Sequence, residues 1–159
     1  MKYNSDHPDD GAAATITAAD DCCGGGKVSS MLALLRAARN IQDQLEATLD
    51  LVDLSPAKYQ ALEALVVAGG SLPLSELAGK LRCVRSNITQ LADRLESDGL
   101  VRRVDDPGDR RAVLAVVTPL GIERQSAGES AIGRLQESLA ARVSPDDRES
   151  FFRVLSALQ

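Results

Sequence analysis

The chain has 159 residues, 44% of them hydrophobic and 26% charged, with a formal net charge of −5; that length suits one domain, or one domain with a dimerising extension, around a reasonable core. Only 3% of residues are aromatic and Trp is absent, so closely packed helices lined with Leu, Val, Ile and Ala are expected, rather than an aromatic-lined catalytic cleft. No run of eighteen apolar residues occurs, and the N-terminus has neither the basic flank nor the apolar region of a signal peptide, which predicts a cytoplasmic protein with no membrane partner.

Residues 1–27 read as a flexible tail with no fold of its own. They hold five aspartates, an Ala/Thr-rich patch and Gly24-Gly25-Gly26, which would interrupt a helix. From about Ser30 the pattern turns helical: Met31, Leu34, Leu35, Ala38, Ile41, Leu45, Leu49 and Val52 keep a 3–4 spacing for five turns. A helix so long and single-striped wants a partner. Ser55-Pro56 is a cap and first-turn pair opening a second helix through Tyr59, Leu62, Leu65 and Val66, which ends at Gly69-Gly70. Leu72 is placed to form a short strand.

The stretch from Pro73 to Thr118 is the most informative. Leu74, Leu77, Ala78 and Leu81 share one helical face, with Pro73 expected in the first turn. After a break at Cys83-Val84, Ile88, Leu91, Ala92 and Leu95 form a second stripe. The outward face of this second helix collects Arg85, Ser86, Asn87, Thr89, Gln90 and Arg94, side chains that donate to and accept from base edges and phosphates in a major groove. Which of them touch bases and which touch phosphates stays open, although Arg85 and Arg94 suit the backbone and Arg94 could instead pair with Asp98, four residues on. Beyond Gly99 the period changes. Leu100–Val104 and Ala112–Val117 are β-branched runs around Asp105-Asp106-Pro107-Gly108-Asp109-Arg110-Arg111, the signature of a hairpin. A turn presenting Arg110 and Arg111 can reach phosphates or a narrow minor groove, or can simply keep an exposed hairpin soluble. Of Arg102 and Arg103, on a strand, one should point outward and the other inward.

Thr118-Pro119 opens a long helix whose face includes Ile122, Ile132, Leu135, Leu139 and Val143. Ser144-Pro145-Asp146-Asp147 then caps a terminal helix carrying Phe151, Phe152, Val154, Leu155 and Leu158. Between Lys80 and Arg111 there are eight basic and six acidic side chains, so a small basic face is expected on an acidic body.

These elements resemble the multiple antibiotic resistance regulator (MarR) family. The resemblance is carried by Ser75-Glu76-Leu77-Ala78, then Asn87 through Glu96, then Asp98-Gly99-Leu100-Val101-Arg102-Arg103. It continues through Asp109-Arg110-Arg111 and Val117-Thr118-Pro119-Leu120-Gly121 and extends loosely over 29–159. It implies a mainly α fold with a small β-wing: a winged helix-turn-helix lobe at about 55–118, flanked by dimerisation helices at about 29–52 and 119–158, within a domain of 28–159. It further implies a homodimer on double-stranded DNA, with Arg111 approaching the minor groove and Asp109 shaping the wing. Such a dimer is expected to repress at a near-palindromic operator and to be released by a small, often aromatic or anionic, effector. Arg36, Arg39 and Tyr59 could line the effector's crevice, although surface packing explains them equally well. One departure is Ala115-Val116, where many members carry a larger apolar residue followed by a polar or basic one, which argues against a phosphate contact from that strand.

Two alternatives remain in view. Cys22 and Cys23 could make a thiol- or metal-responsive regulator, but neighbouring aspartates should raise a thiol pKa, and only His7 lies nearby as a further ligand. Cys83 reads as a small buried hydrophobe. The other alternative is a winged helix used as a protein-interaction module. Enzyme chemistry has little to draw on: the single His is in the tail, no metal-ligand spacing, nucleophile elbow or phosphate-cradling loop is present, and no cofactor is expected.

Overall fold

The computed structural model describes residues 26–109 and 112–157. The tail with His7, Cys22 and Cys23, and the wing-tip pair Arg110 and Arg111, lie outside the described residues. Among the described residues six helices and three strands follow in the order α1 (Gly26–Asp50), α2 (Pro56–Val67), β1 (Ser71–Pro73), α3 (Leu74–Lys80), α4 (Arg85–Ser97), β2 (Val101–Asp105), β3 (Val113–Val117), α5 (Pro119–Ala140) and α6 (Pro145–Ala157). The fold is mainly helical with one small antiparallel sheet, ordered β1-β3-β2. Leu72 pairs with Ala115 across β1 and β3, and Arg103 with the same Ala115 from the other side.

Local chemistry explains most of the boundaries. Ser55 caps α2 by accepting from the Lys58 N–H at 3.4 Å, and Thr118 caps α5 by accepting from the Gly121 N–H at 3.0 Å. Ser144 accepts from the Asp147 N–H at 3.2 Å while its hydroxyl donates to the Asp147 carboxylate, a reciprocal cap that opens α6. The chain leaves α2 through Gly69 and Gly70, at φ +85° and +102°. Only a residue without Cβ holds such angles cheaply.

The core lies where α2, α3, α4 and the sheet meet the end of α1. Leu49, Leu62, Leu65, Leu77 and Leu95 are fully buried there, joined by Leu54 and Val101. Its aliphatic composition follows from the scarcity of aromatic residues.

Four expectations need correction. Helix α1 begins at Gly26, inside the triglycine, and not beyond it. Pro73 ends β1 and occupies the position that precedes α3; its φ of −57° and ψ of 140° are extended, so it stands before the first turn instead of within it. Cys83 is half-buried against the edge of the core, because it sits in the turn and not on a helix face. Finally, α5 faces the core through Gly121, Gln125, Gly128 and Ala131, whereas Ile122 is 49% exposed.

That last difference has a steric cause. A Cβ on Gly121 would lie 2.1 Å from the Leu100 carbonyl oxygen, and one on Gly128 would lie 2.8 Å from the Tyr59 ring. Helix α5 therefore approaches β2 and α2 through missing side chains. Large apolar residues could not come so close.

Candidate nucleic-acid interface

Helices α3 and α4 meet at a tight corner formed by Leu81, Arg82, Cys83 and Val84. The Cys83 N–H donates to Ala78 and the Arg82 N–H to Gly79, at 3.0 and 3.2 Å, which closes α3 and turns the chain into α4. Ile88, Ala92 and Leu95 anchor α4 in the core. Helical geometry then carries Ser86, Asn87, Thr89, Gln90, Asp93 and Arg94 to the opposite side, and all six are exposed. Arg85 opens the same helix.

This face forms a ridge between two clefts. One, of about 460 Å³, separates it from the wing and is lined by Ser75, Ile88, Thr89, Asp109 and Val113. The other, of about 390 Å³, lies toward α2 and is lined by Gln60, Cys83, Asn87, Gln90 and Arg94. A ridge of polar side chains standing clear on both flanks is the shape that enters a major groove.

The acidic residues late on α4 would weaken such a surface if left unpaired. The Arg103 guanidinium, on β2, pairs with two of them and offsets one unit of their charge: it lies 2.6 Å from Asp93 and donates to Glu96 at 2.6 and 2.8 Å, while the Arg103 backbone N–H donates to Glu96 at 3.0 Å. The hydrogen bonds from the Arg103 side chain, then from its backbone, hold the Glu96 carboxyl below its usual range, and the bond to Glu96 raises the Arg103 pKa in return. Sequence reasoning placed Arg102 and Arg103 on a strand with one side chain outward and one inward, without saying which, and did not find the partners of Arg103, seven and ten residues away on another element. Of the two, Arg102 is the exposed one and Arg103 the half-buried one. Asp98 pairs with Lys58 of α2 at 2.6 Å and not with Arg94. The end of α4 is thereby tied to the start of α2, and Arg94 is left exposed on the ridge.

The wing is shaped by a residue that sequence reasoning missed. The Asp106 carboxylate accepts from the Gly108 N–H at 2.7 Å, an Asx turn, and the Asp106 N–H donates to the Ala112 carbonyl at 3.1 Å. The Asp-x-Gly spacing carried that signal. Asp109 contributes its backbone carbonyl, which accepts from the Ala112 N–H at 2.8 Å.

A different surface lies at the ends of the chain. Helix α1 exposes Met31, Leu34, Leu35 and Ile41 ahead of its last turns, and α6 buries none of its residues, leaving Phe151, Phe152 and Val154 in the open. The stripe read along α1 therefore divides: Leu45, Leu49 and Val52 join this chain's core, and the earlier positions do not. Arg36 and Arg39 are exposed as well. Tyr59 is buried against Gly128, its hydroxyl 3.5 Å from Glu63, and burial together with the Glu63 and Glu129 charges raises its pKa. It packs in the interior, which fits the packing explanation and not the crevice. Among the described residues no group of His, Cys, Asp and Glu could hold a metal ion, and no helix is long and apolar enough to cross a membrane.

The model of the MarR family matches residues 54–113, the segment from the start of α2 to the wing. That segment belongs to the MarR family. The regulator MhqR of Bacillus subtilis is 33% identical over 91 residues, covering 57% of this chain, which in turn spans 62% of that relative's length. Among solved structures, the MarR-family regulator Sco5413 of Streptomyces coelicolor superposes with a TM-score of 0.69 at 25% identity, over 85% of this chain and 94% of that one. Sco3205 of the same organism, solved in complex with DNA, shares the fold with a TM-score of 0.72 at 23% identity, over 89% and 91%. The curated relatives that this chain matches are transcriptional regulators, not enzymes.

Proposed function

We propose that this protein is a homodimeric, sequence-specific DNA-binding regulator that represses by occupying a near-palindromic operator. The observation that carries the reading is the exposed polar ridge of α4, backed by a core that holds Ile88, Ala92 and Leu95 and standing beside the wing. Solution of a protein of the same fold with DNA supports it. In this reading Arg85, Ser86, Asn87, Thr89, Gln90 and Arg94 enter the major groove, and Arg110 and Arg111 reach phosphates or the minor groove from the wing, with Asp109 at its tip. The exposed apolar faces of α1 and α6 pair with those of a second copy, which places two α4 helices on one duplex about 34 Å apart.

An effector that disfavours the DNA-fitting spacing would release the operator. The cleft between the terminal helices and the reading lobe, about 310 Å³ and lined by Asp53, Lys58, Asp98, Leu100, Leu120 and Arg124, is the place we assign to it. Its walls are bridged by Lys58–Asp98 at 2.6 Å and Arg124–Asp53 at 2.9 Å, pairs that an anionic ligand would compete with.

Selection of duplexes from random oligonucleotides by the purified protein tests the reading. Enrichment of an inverted repeat with half-sites one helical turn apart is expected; no enrichment would instead favour a protein-interaction module.

A further inference from the structure

The corner between α3 and α4 breaks two local conformational rules. Arg82 adopts φ +49°, in the left-handed region where a helix-stopping residue is ordinarily glycine. Two residues later Val84 occupies the position that caps α4, extended at φ −74° and ψ 155°, with no side-chain hydrogen bond to the helix. Ser55 and Thr118 cap other helices of this chain by accepting from backbone N–H groups. A β-branched apolar side chain is among the poorest choices for that position.

Burial does not compensate for the lost cap, because Val84 is 64% exposed. A residue that leaves its helix without a side-chain cap and keeps 64% of its surface open points to a contact outside its own chain. The location says what kind. Residues at the N-terminus of a recognition helix approach base edges, and Val84 immediately precedes Arg85 and the exposed Ser86 and Asn87. An isopropyl group can neither donate nor accept a hydrogen bond. The major groove presents one apolar group to meet it, the 5-methyl of thymine.

Resting on the DNA-reading function above, we propose that Val84 is a specificity-determining residue whose isopropyl group packs against the 5-methyl of one thymine in each half-site. The contact gives a role to an exposed apolar side chain at the start of the helix proposed to face the bases.

Replacing each thymine of the selected duplex in turn by deoxyuridine removes the methyl and nothing else. Wild-type protein should lose about fourfold in affinity at one thymine per half-site, the equivalent of about 0.8 kcal/mol for one buried carbon group. Val84→Ser supplies a capping hydroxyl, so it should melt no lower than wild type, and Val84→Ala is the second variant. Both should bind the thymine and deoxyuridine forms alike at that position while the rest of the scan is unchanged. A scan that is flat for wild type, or a preference that persists undiminished in both variants, would overturn the proposal. Wild-type binding to the unmodified duplex is measured first; if no duplex is bound at all, the DNA-reading function itself fails, which separates the two outcomes.

Discussion

At the residue scale, Arg103 decides whether α4 presents a surface that DNA can tolerate. Its guanidinium engages Asp93 and Glu96 together, at 2.6 Å each, and so cuts the net charge of that pair from −2 to −1 beside the ridge. Arg103→Ala should weaken DNA binding on the order of tenfold at low salt, with the gap closing as salt screens the exposed carboxylates. Binding unchanged in a gel-shift titration would show that the pair is only structural. The same pair makes a pH prediction. Glu96 titrates lower in the folded state than in the unfolded one, so its contribution to stability is present above the ordinary Glu range and is lost as pH falls through the folded value. Wild type should melt above Glu96→Gln at about pH 6, and the two should converge on acidification; a gap that stays constant down to acid would contradict the assignment. This clamp was only half legible beforehand. Alternation along β2 turned one of Arg102 and Arg103 inward, but nothing local to either residue said which, or named a partner on the preceding helix. The caps at Ser55, Thr118 and Ser144, by contrast, depend on neighbours three residues away and could be read directly.

At the scale of elements, the join between wing and terminal helices is set by what α5 lacks. Thr118 donates to the Gly99 and Leu100 carbonyls at 2.7 and 3.1 Å, and Gly121 then lets the first turn of α5 lie against the Leu100 carbonyl. Gly121→Ala should destabilise the fold by about 1–3 kcal/mol, because backbone must yield to the new methyl. Thermal melting checks it, and an unchanged midpoint would mean that α5 is less tightly seated than the geometry requires. A hydrophobic pattern registers side chains that are present, and so the α5 stripe was drawn through Ile122 and the contact made by glycine was missed. The order of α3, α4, β2 and β3 was legible for the opposite reason. Each has a clear period, and the period changes at Gly99.

At the scale of the whole molecule, an acidic chain with a formal charge of −5 is proposed to hold a duplex through one ridge and one wing, twice. The apolar faces on α1 and α6 make the pairing concrete. Leu35→Asp combined with Phe152→Asp should give a monomer by light scattering, and should cost about a hundredfold or more in affinity for a full inverted repeat while leaving the weak binding of a single half-site intact. A double variant that stays dimeric would move the interface elsewhere. The central claim is that the outer face of α4 reads bases, and the direct test is the ratio of affinities for the selected duplex and a scrambled one, measured for wild type and for Asn87→Ala with Gln90→Ala. The account predicts that the ratio falls by about tenfold or more, in line with roughly 1–3 kcal/mol of discrimination per good base contact. An unchanged ratio, with both duplexes weakened alike or neither affected, would contradict it.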